Sequence, residues 1–343
     1  MMTVLDFEKP IFELEKKISE LKNLSTVGEL DLESEVKKLE SRLAHVKKET
    51  YFNLTPWQRV QIARHPKRPY TLDYIQMIFT DFVELHGDRT FADDKALIGG
   101  LAKIDGKPVL VMGHQKGRDA KENIMRNFGS AHPEGYRKAL RLMRMAEKFN
   151  IPIMVFVDTP GAYPGIGAEE RGQAYTIAVN IRDMARIQVP IVVTVIGEGG
   201  SGGALGIGVG DRVLVLENAY YSVISPEGCA AILWKDRTKA PDAAAALRLT
   251  AKDLYELKLI DEVLKEPLGG AHQNPDEIAE TLKSALLKHL NDIASVPRSQ
   301  LVEGRYEKFR SMGVFHAGSP SEASEKKATQ AEKRTREKKV SSR

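Results

Sequence analysis

The sequence predicts an α/β fold, because apolar runs of strand length alternate with helical patterns through the middle of the chain. Two of these runs, at 152–158 and 190–196, are each followed by a loop that contains glycine and then by a helical pattern. An Asp105-Gly106 pair between the apolar runs at 96–104 and 109–113 predicts a tight β-hairpin. The chain contains no internal repeat.

Helical patterns flank this region on both sides. Within residues 1–54, apolar residues at spacings of three and four predict a helical hairpin that packs on the body of the protein or on a partner. Residues 55–315 form the predicted main domain, and the polar segment 316–343 is predicted to be disordered. The main domain has predicted helices at 55–64, 71–85, 133–149, 168–187, 205–209, 226–234, 274–293 and 299–312. The segment 241–257 is predicted to be helical in one or two pieces, and further strands are predicted at 212–217, 220–224 and 260–264.

Composition restricts the class of protein. The 343 residues include 42% hydrophobic and 29% charged residues, which is ordinary for a globular protein. The single cysteine, Cys229, excludes a disulfide framework and a cysteine-built zinc site within this chain. No apolar run is long enough to span a membrane and the N-terminus has no signal-peptide pattern, so we expect a cytoplasmic protein without membrane contact.

The net charge of +4 comes from the C-terminal segment. Residues 317–343 hold eight basic and four acidic residues, which accounts for the whole excess. The rest of the chain is near neutral, so we expect no nucleic-acid partner.

The chain is organised around the glycine run 197–204, which follows the strand-like segment 190–196. A strand, a glycine loop and the start of a helix place backbone N–H groups where they can bind an anion. Glycine also allows a ligand to approach the backbone closely. We therefore expect this run to hold an oxyanion, followed by a short helix at 205–209.

The same glycines match a dinucleotide fingerprint. Gly197, Gly199 and Gly202 have the G-x-G-x-x-G spacing after a strand, and Glu217 lies at a tolerable distance for a ribose contact. That fingerprint belongs to the first βα unit of its domain, whereas at least one βα unit precedes the run here. The pattern therefore argues only weakly for a nicotinamide enzyme.

Residues 199–203 also match the nucleophile elbow G-x-S-x-G, with Ser201 as the nucleophile. A serine hydrolase or peptidase is thus a second interpretation. It needs a histidine downstream, and the three candidates in the sequence are His272, His289 and His316.

Two further loops contain residues suited to binding a ligand. Residues 158–161 resemble the D-x-x-G loop of GTPases, but no G-x-x-x-x-G-K-[ST] loop precedes them, so we interpret 159–165 as a proline-fixed turn that lines a site. The stretch 114–126 is basic, and its cations are able to hold a phosphorylated ligand such as coenzyme A. Each of these cations, taken alone, also fits a basic loop exposed to solvent. They are Lys116, Arg118, Lys121 and Arg126.

A set of stretches, in order along most of the chain, carries a resemblance. They lie at 64–66, 68–74, 113–118, 133–143, 158–165, 168–173, 197–204, 225–230 and 267–272. Together they resemble the α-subunit family of bacterial-type acetyl-coenzyme A carboxylase carboxyltransferases, and they are far more specific than any one glycine pattern. The segment after Phe315 has no counterpart in the family pattern.

The resemblance implies a crotonase-type fold, as in ClpP and crotonase, in which ββα units wind into a superhelix with an N-terminal helical hairpin and C-terminal helices. It implies transfer of a carboxyl group from carboxybiotin to acetyl-coenzyme A, giving malonyl-coenzyme A for fatty acid biosynthesis. The implied partners are a biotin carboxyl carrier protein, a biotin carboxylase that uses ATP, and a β subunit that forms an α2β2 assembly. Zinc belongs to the β subunit alone, so no metal is expected in this chain.

The resemblance assigns the backbone N–H groups of Gly202 and Gly203 to an oxyanion hole for the ureido oxygen of biotin. Biotin then serves as the base, so no acid–base pair of side chains is required and Ser201 becomes a small loop residue. A serine hydrolase of the same fold that uses Ser201 is the alternative. The expected binding residues are Lys116, Arg118, Asp158, Pro160, Gly161, Ala162, Tyr163, Gly165, Gly199, Gly200, Ser201, Ser225, Pro226, Glu227 and Gly228.

Overall fold

The computed structural model describes residues 4–27 and 32–313, so the predicted disorder of 316–343 lies outside the described residues. Its strands are β1 (Thr80–Glu84), β2 (Leu97–Ile104), β3 (Lys107–His114), β4 (Ile153–Thr159), β5 (Ile191–Gly200), β6 (Arg212–Leu216), β7 (Tyr220–Ser222) and β8 (Glu262–Leu264). They form one sheet in the order β1-β2-β3-β4-β5-β6-β8, and β7 pairs with β5.

The sheet is mixed. β1, β2 and β3 are antiparallel, and Asp105 and Gly106 both have positive φ in the turn that joins β2 to β3, which confirms the predicted hairpin. β3 to β6 and β8 are parallel, and every residue of β4 and β5 is buried. Continuous burial is typical of parallel strands that are covered on both faces, so these two strands form the centre of the core.

Helices cover the sheet, and the α/β class is confirmed. They are α1 (Lys9–Val27), α2 (Glu33–Phe52), α3 (Pro56–Ala63), α4 (Thr71–Ile78), α5 (Ala120–Met125), α6 (Pro133–Lys148), α7 (Ile166–Glu170), α8 (Gln173–Met184), α9 (Ser201–Leu205), α10 (Pro226–Trp234), α11 (Ala240–Leu247), α12 (Ala251–Glu256), α13 (Pro275–Ala294) and α14 (Arg298–Arg310). α6 contacts β2 and β3, whereas α13 contacts α4, β5 and β8.

The N-terminal helices α1 and α2 pack on each other, and a small apolar cluster of Ile11, Tyr51 and Ile62 joins them to α3. The Thr55 hydroxyl accepts a hydrogen bond from the backbone N–H of Gln58 at 3.2 Å and so caps α3, as its Thr-Pro start predicts. The division into a hairpin domain at 1–54 and a main domain at 55–315 stays a prediction.

Three predicted helices are wrong in extent. The helix predicted at 71–85 ends at Ile78, because the following residues pair as β1 with β2 instead. The helix predicted at 168–187 is two helices, α7 and α8, separated at Gly172, whose φ of 81° is left-handed. The helix predicted at 205–209 lies earlier, since β5 continues through Gly200 and α9 ends at Leu205.

Candidate active site

The candidate site lies where β5 passes into α9. The backbone is extended through Gly200, and Ser201 then has a φ of 50°, which is unusual for a residue other than glycine and turns the chain sharply into the helix. The first N–H groups of a helix have no acceptor within that helix. Those of Gly202 and Gly203 belong to this first turn, so they are available to an oxygen atom outside the helix.

The loop after β4 packs on this turn backbone to backbone. A Cβ built on Gly200 would lie 2.2 Å from the carbonyl oxygen of Pro160, and one built on Gly203 would lie 2.4 Å from the amide nitrogen of Ala162. No side chain fits at either position. The structure therefore brings the two predicted loops, 159–165 and 197–204, into direct contact.

Gly202 differs from Gly203 in its surroundings. A Cβ on Gly202 would meet only Ile177, with the closest atom Cδ1 at 3.9 Å, which is ordinary van der Waals contact. The two glycines are therefore neighbours in the same turn with opposite tolerance for a side chain.

A buried ion network lies beside these loops. Lys116 Nζ is 2.7 Å from Asp158 Oδ1 and 2.7 Å from Glu198 Oε2. Arg64 Nε donates to Glu198 Oε1 at 2.7 Å, and the Tyr220 hydroxyl donates to the same oxygen at 2.7 Å. Burial raises the pKa of Glu198, but the Lys116 ammonium and the Arg64 guanidinium outweigh burial and lower it to about 2. Glu198 is thus a fixed anion at neutral pH.

The network extends to the start of α10. Arg64 Nη1 donates to Glu227 Oε1 at 2.5 Å. Ser225 caps α10, since its hydroxyl accepts from the backbone N–H of Gly228 at 3.1 Å, and Pro226 is buried beside it. The predicted site segment 225–228 is therefore tied to Glu198 through a single arginine.

Three of the four cations in the basic stretch 114–126, namely Lys116, Arg118 and Arg126, pair with carboxylates, and Arg126 does so with Glu122. Lys116 is held by Asp158 and Glu198, and Arg118 pairs with Asp73. The Arg118 guanidinium also lies 3.9 Å above the Tyr70 ring centroid. Direct binding of a phosphate by Lys116 or Arg118 stays a prediction, and the contacts in the structure are internal.

The structure gives no support to the hydrolase interpretation. Ser201 is exposed, but His272 stacks on His65 with ring centroids 3.9 Å apart, and His289 Nε2 lies 2.7 Å from Glu262 Oε2. His316 lies outside the described residues.

The structure also gives no support to the dinucleotide and GTPase interpretations, because their acidic residues make internal contacts. The Glu217 carboxylate, the predicted ribose contact, is bonded to Lys265 Nζ at 2.7 Å. Asp158 of the D-x-x-G match is bonded to Lys116, and it also accepts the backbone N–H of Glu198 at 2.9 Å.

The sequence interpretation missed Arg64, Glu198 and Tyr220 as parts of the site. Arg64 and Glu198 lay within matched family stretches, but their pairing joins α3 to β5, over 134 positions of sequence. No local pattern signals such a contact. An acidic residue inside a glycine run was the one available signal, because a carboxylate there needs a cation partner.

The comparisons decide the family. The family model described as "Acetyl co-enzyme A carboxylase carboxyltransferase-like" matches residues 4–313. The chain belongs to this family. A relative from Geobacter metallireducens, named acetyl-coenzyme A carboxylase carboxyl transferase subunit alpha, is 62% identical over 311 residues, which are 91% of this chain and 98% of the relative. A relative of the same name from Thermus thermophilus is 60% identical, with the same coverage. A subunit name implies partner subunits.

Solved structures of low sequence identity support the carboxyltransferase fold. A Pseudomonas malonate decarboxylase hetero-tetramer in complex with coenzyme A matches with a TM-score of 0.54 at 18% identity, over 77% of this chain and 98% of that one. Transcarboxylase 12S, with methylmalonyl-coenzyme A bound, matches with a TM-score of 0.53 at 18% identity. The match covers 74% of this chain and 44% of the transcarboxylase chain. This chain therefore has the crotonase-type fold. Among the described residues, no helix is both long enough and apolar enough to cross a membrane.

Proposed function

We propose that this chain is the α half of an acetyl-coenzyme A carboxylase carboxyltransferase, which transfers a carboxyl group from carboxybiotin to acetyl-coenzyme A and forms malonyl-coenzyme A. Family membership supports the reaction class. The observation that carries the assignment of the site is the contact between Gly203 and Ala162, because it fixes two backbone N–H groups at the start of α9.

The residues suit an oxygen on which negative charge develops. Carboxybiotin, when bound, supplies CO2 while negative charge grows on its ureido oxygen. The N–H groups of Gly202 and Gly203 stabilise that charge, and each preset donor contributes on the order of 3 kcal/mol in comparable oxyanion holes. The Ser201 side chain has no chemical role, and the Ser201 backbone makes the turn that aims these donors. The nearby Lys116 ammonium bonds to both the Asp158 and the Glu198 carboxylates, and the three side chains act as a rigid support.

The loops around α9 line the biotin side of the cleft in this proposal. The loop 159–165 lies under Gly200 and Gly203, and the segment 225–228 is tied to the same network by Arg64. We assign binding roles, through backbone groups or the Tyr163 ring, to Asp158, Pro160, Gly161, Ala162, Tyr163, Gly165, Gly199, Gly200, Ser201, Ser225, Pro226, Glu227 and Gly228.

A β subunit completes the site and contributes the zinc ribbon and the pocket for the acyl group. Large apolar side chains are exposed on elements that adjoin the site, which supports a protein partner there. They are Ile166, Tyr175, Leu205, Val223, Ile232 and Leu233. A biotin carboxyl carrier protein delivers the carboxylated biotin, and a biotin carboxylase partner uses ATP to load it. The proposal places the reaction in the cytoplasm.

The proposal is tested by carboxyl transfer in the reverse direction, between malonyl-coenzyme A and free biocytin. The purified chain is assayed alone and after mixing with a zinc-ribbon β subunit. We expect transfer only in the mixture. Failure of the mixture, together with covalent labelling of Ser201 by a fluorophosphonate, would overturn the proposal in favour of a serine hydrolase.

A further inference from the structure

The ring of Tyr163 is enclosed on two sides. Its centroid lies 4.1 Å from the centroid of the His132 ring, and the two planes are inclined by 24°. A Cβ built on Gly165 would lie 2.4 Å from Tyr163 Cε1, so the ring also packs directly on the Gly165 backbone. An aromatic ring between two close neighbours has little room to change its rotamer.

His132 is itself held in place. Its backbone N–H donates to Asp94 Oδ2 at 2.7 Å, and its ring Nδ1 lies 2.9 Å from Asn127 Nδ2. It occupies the cap position before α6, but its side chain makes no capping hydrogen bond there. The ring is thus directed at Asn127 and Tyr163 rather than at the helix that it precedes.

The main chain ties the same two segments together. The Tyr163 N–H donates to the Ala131 carbonyl oxygen at 3.0 Å, and Gln173 Nε2 donates to the carbonyl oxygens of Ala131 at 2.8 Å and Tyr163 at 3.0 Å. Ala162, which contacts Gly203, is the residue next to Tyr163. The segment 131–132 therefore reaches the glycine turn through two consecutive loop residues.

We propose that His132 is a positioning residue for the transfer reaction, which it serves by stacking on Tyr163 and so fixing the loop 160–165. The inference rests on the proposed function, in which this loop lines the biotin side of the cleft. Removal of the His132 ring frees one face of Tyr163, while the main-chain bond to Ala131 remains. The consequence is weaker binding of biotin in an otherwise folded subunit.

The experiment uses the full chain assembled with its β subunit and measures KM for biocytin and for malonyl-coenzyme A separately. We expect His132→Ala to raise the KM for biocytin about two- to tenfold, the range of an aromatic pair, and to leave the KM for malonyl-coenzyme A unchanged. His132→Phe keeps the stacked ring and restores the wild-type value. His45→Ala, an exposed histidine on α2, serves as the matched control.

A double-mutant cycle separates positioning through Tyr163 from a general loss of structure. In a Tyr163→Ala background, His132→Ala gives no further rise in KM, because the ring that it positions is already gone. An additive rise, an equal defect in His132→Phe, or an unchanged KM in His132→Ala would each overturn the inference. Thermal unfolding of every variant identifies any that fails to fold, and the cycle with His132→Phe then decides. Absence of transfer in the wild-type assembly is a different result, which contradicts the proposed function itself.

Discussion

Gly203 and Ala162 approach so closely that a single methyl group on Gly203 would lie 2.4 Å from the Ala162 amide nitrogen. The contact joins α9 to the loop that follows β4. The strands that precede these two segments, β5 and β4, are neighbours in the sheet. It fixes where the N–H groups of Gly202 and Gly203 point. The adjacent pair of glycines therefore offers a direct test of the oxyanion assignment.

We expect Gly203→Ala to lower carboxyl transfer about 100-fold or more, since displacement of one donor in an oxyanion hole costs this much. Gly202→Ala keeps its N–H group and has open space for the methyl group, with Ile177 at 3.9 Å, so it should retain activity within about threefold. Initial rates of reverse transfer measure both variants, and gel filtration with the β subunit confirms assembly. Equal activities of the two variants would contradict the assignment.

Ser201 is expected to be replaceable. Its φ of 50° is strained for a residue with a side chain, so Ser201→Gly relieves the strain and should raise the free energy of unfolding by up to about 1 kcal/mol. Because the hydroxyl has no chemical role in the proposal, Ser201→Gly and Ser201→Ala should both keep most of the transfer activity. Loss of activity in both, with fluorophosphonate labelling of the wild type, restores Ser201 as a nucleophile.

Lys116 stabilises two buried carboxylates, those of Asp158 and Glu198. Lys116→Met leaves both without this cation, and removing one member of a buried ion pair costs about 3–5 kcal/mol. Lys121→Met removes an exposed lysine of the same basic stretch and should cost little. Urea unfolding at pH 7 measures both free energies. The Lys116→Met defect should shrink as the pH falls, because the carboxylates can then be protonated; equal stabilities of the two variants would disprove the support role.

His114 makes the fold sensitive to mild acid. Burial, reinforced by the Lys116 charge, lowers the pKa of His114 from 6.5 to about 3, so the folded state excludes a proton that the unfolded chain binds. The stability contribution is complete above pH 6.5 and is lost as the pH falls towards 3, at about 1.4 kcal/mol per pH unit in between.

A neutral replacement isolates this effect. His114→Gln does not titrate, so the free energy of unfolding of the wild type should fall relative to the variant as the pH is lowered from 6.5 to 4.5. Chemical denaturation at a series of pH values measures the difference. Parallel curves for the two proteins would show that the folded and unfolded states bind a proton at His114 equally well, so that its pKa is not lowered by folding.

The sequence was sufficient for the parts of the site that depend on neighbouring strands. Loops at 159–165 and 197–204 each follow a buried strand, and the carboxyl ends of adjacent parallel strands meet at one edge of a sheet. The contact of these loops agrees with that expectation. Helix starts were predictable for a different reason, because Thr55 and Pro226 act within their own helical turn.

Contacts that depend on tertiary structure could not be predicted. The pairing of Arg64 with Glu198 joins segments 134 residues apart. The change from helix to strand after Ile78 depends on a partner strand, β2, and the apolar residues Phe82 and Leu85 fit a helical spacing equally well. The start of α9 is set by the point at which β5 stops pairing with β4 and β7. The sequence does not show this point, because a glycine run fits both an extended strand and a turn.

Every cation in the network beside the glycine turn already has a carboxylate. Lys116 and Arg64 face Asp158, Glu198 and Glu227, so the cluster holds more negative than positive charge. A permanently charged anion such as phosphate thus meets no unpaired cation in this network, only peptide dipoles. An oxygen that becomes negative briefly, during bond breaking, gains from those dipoles and is released once its charge is gone, so the same arrangement that lowers the barrier also lets the carrier leave.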